Sequence, residues 1–120
     1  MFINYADETI NALLQKGYEV SDIDWIGTHD FTIPIAEFFI AARNTDYDNG
    51  FGIAATPLDI VIVMKDGCWF ERKEYDGSEW WVYKTPYKKP IIHLHMQRNN
   101  FEHHGYLDPL LHMYCVATND

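Results

Sequence analysis

Five of the six histidines fall in the last 28 residues, as His93, His95, His103, His104 and His112, with Cys115 three positions beyond the last. Imidazole nitrogen and thiolate sulfur are the usual zinc ligands. His93 and His95 stand two apart in the strand-like run Ile91-Ile92-His93-Leu94-His95-Met96, so both rings project to one side, as in zinc-binding His-x-His pairs. His103 or His104, in the turn that follows, could return to that side. His112 and Cys115 share a face if 110–116 is helical, which would add a third and a fourth ligand. So many candidate ligands favour a closed, structural zinc site over a catalytic one with an open position. The spacing matches no recognised zinc finger, and histidines also gather in tails by chance, so unliganded histidines stand as the other reading. His29 is isolated and reads as a loop residue.

Carboxylates are the second group with chemical potential. Eighteen Asp and Glu face nine Lys and Arg, a formal net charge of −9. Residues 1–60 hold ten of the acids and only Lys16 and Arg43 as bases, whereas 61–120 are nearly balanced. Binding nucleic acid directly requires a basic face, so this sign disfavours it. A protein that binds basic, nucleic-acid-handling surfaces would want this sign, and a solubilising surface is the plainer explanation. Asp22 and Asp24, Asp46 and Asp48, and Glu74 and Glu79 are the carboxylate pairs available for such contacts. No Gly-rich phosphate loop precedes a helix, and neither His-Glu-x-x-His nor Gly-x-Ser-x-Gly occurs. Cys68, between Gly67 and Trp69, reads as a packed thiol at a hairpin exit, and free thiols are expected rather than a disulfide. No enzymatic activity is expected.

The elements that position these groups centre on residues 67–83. Asp76-Gly77 supplies the two positive-φ residues of a type I′ hairpin, with aromatic residues on both sides. A second Asp-Gly, at 66–67, follows the apolar run 58–64 and reads as another two-residue turn, so three strands form a meander. The registers implied are Met64 with Trp69, Ile62 with Glu71 and Ile60 with Lys73, then Glu74 with Glu79, Arg72 with Trp81 and Phe70 with Tyr83. Glu74 and Glu79 would then repel across the hairpin, with Arg72 the nearest relief. The strand 58–64 is apolar at nearly every position and is expected to be covered on both faces.

Upstream, Ala6, Ile10, Leu13 and Leu14 share one face of a helix over 5–16, closed by Gly17. Residues 18–27 read as an edge strand. Ile33-Pro34 opens a second helix running to about Asn44, with Ile35, Phe38, Phe39 and Ala42 on its apolar face. The segment 44–52 reads as a loop. The fold class is α+β: an antiparallel β-sheet, a meander of three to five strands, packed with two N-terminal helices. A chain of 120 residues is one domain, with 89–120 a histidine-rich C-terminal extension after the proline-bounded break 85–90. No apolar run nears the roughly 18 residues of a membrane span. The start, from Met1 to Glu8, has no basic stretch and predicts no secretory signal, which places the chain in a bacterial or host cytoplasm.

Trp25-Ile26-Gly27, Phe31-Thr32-Ile33-Pro34, Tyr47-Asp48-Asn49-Gly50-Phe51-Gly52 and above all Glu74-Tyr75-Asp76-Gly77-Ser78-Glu79-Trp80-Trp81 occur in this order. Over about residues 22–90 the chain resembles a group of small uncharacterised proteins encoded by phages and prophages of Gram-positive bacteria. Within that group it resembles type II anti-CRISPR proteins, inhibitors of Cas9. The resemblance implies stoichiometric binding to Cas9, or to another basic nucleic-acid-handling host protein, and a block of target DNA loading by an acidic surface. The alternatives are a phage accessory protein or a zinc-dependent enzyme acting on a small molecule. The histidine-rich tail departs from the group's short, Lys-rich ending, so a metal site would belong to this chain alone.

Overall fold

The computed structural model describes residues 2–50, 52–95 and 115–117. The chain divides at the proline-bounded break into two units, 1–86 and 87–120. The first opens with β1 (Phe2–Asn4) and α1 (Tyr5–Gln15). The Asn4 side chain accepts a hydrogen bond from Asp7 N at 3.1 Å, and Asp7 and Glu8 place carboxylates at the positive end of the helix. At the other end Gly17 N donates to Leu14 O and Tyr18 N to Leu13 O, each at 3.0 Å, the two bonds of a Schellman stop.

A single 3-10 turn, Val20–Asp22, then leads into β2 (Ile23–Gly27), β3 (Thr32–Ile33), α2 (Ile35–Arg43) and β4 (Asp46–Asp48). β5 (Val61–Met64), β6 (Trp69–Tyr75) and β7 (Ser78–Lys84) complete the unit. The main sheet is antiparallel with strand order β3-β2-β5-β6-β7, and β1 pairs with β4 in a separate ribbon. This is a mixed α/β architecture with two α-helices among the described residues, as the patterning implies.

Three expectations are corrected. β2 lies inside the sheet, because the Thr28–Phe31 turn folds β3 back onto it. Gly27 makes that turn possible, since a Cβ there would stand 2.3 Å from Phe31 O. Asp46–Asp48 is a strand rather than loop, with Asn4 opposite Asp46 and Phe2 opposite Asp48. β5 is covered on one face only: Ile60, Ile62 and Met64 are buried while Val61 and Val63 are half-exposed. Both helices precede β5 in the chain, and the buried cluster joins Tyr5, Ala6, Leu13, Phe38 and Ala42 to Ile26, Ile62 and Phe70.

The two hairpins differ in their turns. Asp76 (φ 52°) and Gly77 (φ 87°) form the expected two-residue loop, and the pairs Glu74/Glu79, Arg72/Trp81 and Phe70/Tyr83 are as expected. The first hairpin is one residue out of the expected register, with Val61 opposite Glu71, Ile62 opposite Phe70 and Val63 opposite Trp69. Lys65, Asp66 and Gly67 make a three-residue loop in which only Gly67 has positive φ, with Gly67 N on Met64 O and Met64 N on Cys68 O.

In the second unit β8 (Ile92–Leu94) pairs antiparallel with β9 (Cys115–Ala117). Among the described residues no helix is long and apolar enough to cross a membrane.

Candidate functional site

Alternation along β6 and β7 puts Arg72, Glu79 and Trp81 on the face that carries Phe70 and the core. The Arg72 side chain is 0% exposed and the Glu79 side chain 1%, so the charges must satisfy each other. Arg72 Nη2 donates to Glu79 Oε1 at 2.8 Å and to Tyr47 Oη at 3.2 Å, and Nη1 lies 3.3 Å from Glu8 Oε1. Tyr47 Oη donates to Glu8 Oε1 at 2.7 Å, closing the ring of contacts. The guanidinium carbon sits 5.2 Å from the centre of the Tyr5 ring and 4.8 Å from that of Trp81, and these two rings lie within 8° of parallel. Such a position stabilises a cation through the ring quadrupoles.

The Glu79 carboxylate turns the network outward to residues 49–60, which join β4 to β5. It accepts from Ala55 N at 2.6 Å, from Thr56 N at 3.1 Å and from the Thr56 hydroxyl. Asn49 holds the Glu79 backbone on both sides, its Oδ1 accepting from Glu79 N at 2.8 Å and its Nδ2 donating to Glu79 O at 3.0 Å. Burial opposes the charged carboxylate, but hydrogen bonds from Thr56, Arg72 and Ala55 N and the Arg72 charge outweigh it and hold its pKa below the usual value. A carboxyl with a depressed folded pKa contributes stability that is complete above its unfolded value, about 4.3, and disappears as pH falls through the folded value. Thermal unfolding followed from about pH 6 to about pH 3 should therefore show a fall in stability below the ordinary carboxylate range, shallower in Glu79→Gln.

The pinned loop separates two hollows. On one side it faces α2 across a cavity of about 490 Å³ lined by Tyr5, Glu37, Phe38, Ala41, Pro57 and Ile60 among others. On the other, Gly52, Ile53 and Thr56 face Glu74 and Asp76 of the hairpin tip across an open cleft of about 580 Å³. With Arg72 enclosed, no cation of the network is presented to a ligand.

The expected contact carboxylates do not form one patch. Asp22 is half-buried and accepts from Glu19 N at 2.8 Å, and Asp24 is exposed on β2. Both lie toward the Lys65–Gly67 turn, because Ile23 pairs with Met64. Glu74 is exposed at the opposite turn of β6. Asp46 is exposed on β4 and accepts from Asn4 Nδ2 at 2.8 Å, and Asp48 is half-buried on the same strand. Glu79 is no surface contact: the facing pair does not share a solvated tip, because Arg72 draws Glu79 into the core while Glu74 stays outside. Arg72 as the relief is legible in the register; Glu8, Tyr47, Thr56 and Asn49 come from distant segments and carry no local signal.

His93 and His95 stand edge to face with ring centres 5.0 Å apart. His103, His104 and His112 lie outside the described residues. Cys115 begins a strand opposite Leu94, so the helical pairing expected for His112 and Cys115 does not hold at Cys115. Among the described residues no group of three or more His, Cys, Asp and Glu could hold a metal ion. Cys68 is a free thiol, half-buried.

Fold and site define a small mixed α/β protein whose buried Arg72–Glu79 pair anchors the loop around Ala55 and Thr56. No family model, curated protein or solved structure matches the chain.

Proposed function

We propose that this protein is a stoichiometric binding module for a basic, nucleic-acid-handling protein, with Cas9 as the target the resemblance points to. The observation that carries this reading is the placement of charge. Residues 1–86 contain fifteen acidic and six basic residues and so hold the whole net charge of −9, while 87–120 balance three against three. Arg72 and Glu79 cancel in the interior, which leaves the excess carboxylate on the surface. A surface of this sign competes with phosphate for basic grooves and accelerates encounter with them.

Asp24, Asp46 and Glu74 are the exposed contact carboxylates of the proposal, with Asp22 and Asp48 beside them. The mode of action is occupation of a DNA-loading surface, in the cytoplasm of the host bacterium and without catalysis. The test is Cas9 cleavage of a linear duplex titrated with this protein before DNA is added. Activity is expected to fall linearly to an end point near one equivalent; undiminished cleavage at excess protein rejects the Cas9 target. Zinc at the His93–His95 pair is a separate proposal, decided by the metal content of untagged protein with and without both histidines.

A further inference from the structure

The cavity between α2 and the pinned loop is apolar, large enough for a ring-bearing side chain, and carries the Glu37 carboxylate in its wall. Phe38, Pro57 and Ile60 supply its apolar wall, Glu37 lines it from α2, and Glu74 and Asp76 stand on the far side of the loop. Tyr5 lines the cavity at 5% exposure, and among the described residues its hydroxyl has no well-formed hydrogen bond, with Thr56 its near polar neighbour. A buried hydroxyl without a partner is costly unless an occupant completes it. Burial, against the lowering effects of Arg72 and of Thr56, raises the Tyr5 pKa to about 12, so the group remains a neutral donor at physiological pH.

We propose that this cavity is the anchor pocket of the binding module and takes an aromatic or aliphatic side chain flanked by cationic residues of the basic partner. Apolar contact holds the body of the side chain, Glu37 and the hairpin-tip carboxylates hold the neighbouring positive charge, and the Tyr5 hydroxyl is available to one acceptor. Interfaces concentrate their energy where an anchor fills such a pocket inside a charged rim. The proposal rests on the function given above, and its chemistry is testable apart from it.

The probe is phenethylamine, an aromatic body with a cationic nitrogen, added to the full chain and followed by amide chemical shifts. Phenylacetate, with the same ring and the opposite charge, is the control. Phenethylamine is expected to shift Phe38, Ala41 and Ile60 and to saturate at about millimolar concentration, the range open to so small a ligand. Phenylacetate is expected to bind at least about tenfold more weakly. Ala41→Trp, at an exposed helical position on the cavity wall, should abolish the shifts and leave the melting temperature unchanged. Equal binding of the two probes, or shifts that persist in Ala41→Trp, overturns the pocket. In the complex, Ala41→Trp should weaken Cas9 affinity by about tenfold or more, as loss of a hot-spot contact does. Unchanged Cas9 affinity in a variant that has lost phenethylamine overturns the anchor role. Phenethylamine binding by a chain that does not bind Cas9 overturns the target and leaves the pocket.

Discussion

Glu79→Ala lowers the free energy of unfolding by about 3–5 kcal/mol, because it leaves the Arg72 guanidinium buried with Glu8 as its one remaining carboxylate among the described residues. The same change strips Ala55 N and Thr56 N of their acceptor, so the loop is released around Ala55 and Thr56 while Asn49 and Gly50 stay bonded to the backbone of residues 79 and 77. Two measurements separate these effects. Urea unfolding reports the global loss, and hydrogen exchange at Ala55 and Thr56 reports release of the loop at urea concentrations where the core remains folded. Replacing Arg72 and Glu79 together by apolar residues of similar volume should cost less than the sum of the single changes, since no charge is then stranded. A loss below about 1 kcal/mol in Glu79→Ala, the size seen for exposed pairs, contradicts the burial of the network.

Trp81→Ala destabilises by about 3 kcal/mol, at the lower end for a large aromatic because Trp81 is only half-buried. The side chain does three things at once. It stacks on Tyr5 with ring centres 6.0 Å apart, lies over Arg72, and donates from Nε1 to Thr9 Oγ1 at 3.0 Å. Trp81→Phe keeps a ring on the guanidinium and loses the hydrogen bond, so it should cost about 1 kcal/mol. Chemical unfolding of both variants checks the order. Equal losses in the two would assign the effect to the Thr9 hydrogen bond and remove the cation–π contact from the account.

The second hairpin was legible because its information is local. Asp76-Gly77 names its own turn, two residues with positive φ fix the register, and the register places Arg72 near Glu79. Lys65-Asp66-Gly67 defeats the same reasoning, since an Asp-Gly pair also serves a three-residue loop and one extra residue moves every partner of β5 by one position. Asp46–Asp48 looks like turn sequence and becomes a strand only because β1 lies beside it, a contact more than forty residues away in the chain. The inward turn of Glu79 was hidden for a related reason. A carboxylate opposite another carboxylate reads as surface, and its burial is stabilised by Arg72 together with Ala55 and Thr56, which a long loop brings back. The acidic balance of the chain was plain from composition; that α2 and the loop around Thr56 frame an apolar cavity was not, because its two walls are brought together only by the contacts of Glu79 with that loop.

The proposed binding of a basic protein by the surface carboxylates of residues 1–86 has a direct test. Calorimetric titration of the full chain into Cas9 tests it, at about 0.1 M and about 1 M salt, where the screening length falls from roughly 10 Å to 3 Å. One protein per Cas9, with affinity that drops sharply at the higher salt and drops further in Asp24→Lys, Asp46→Lys and Glu74→Lys, is the predicted result. No binding at the lower salt, or binding indifferent to both salt and charge reversal, contradicts it.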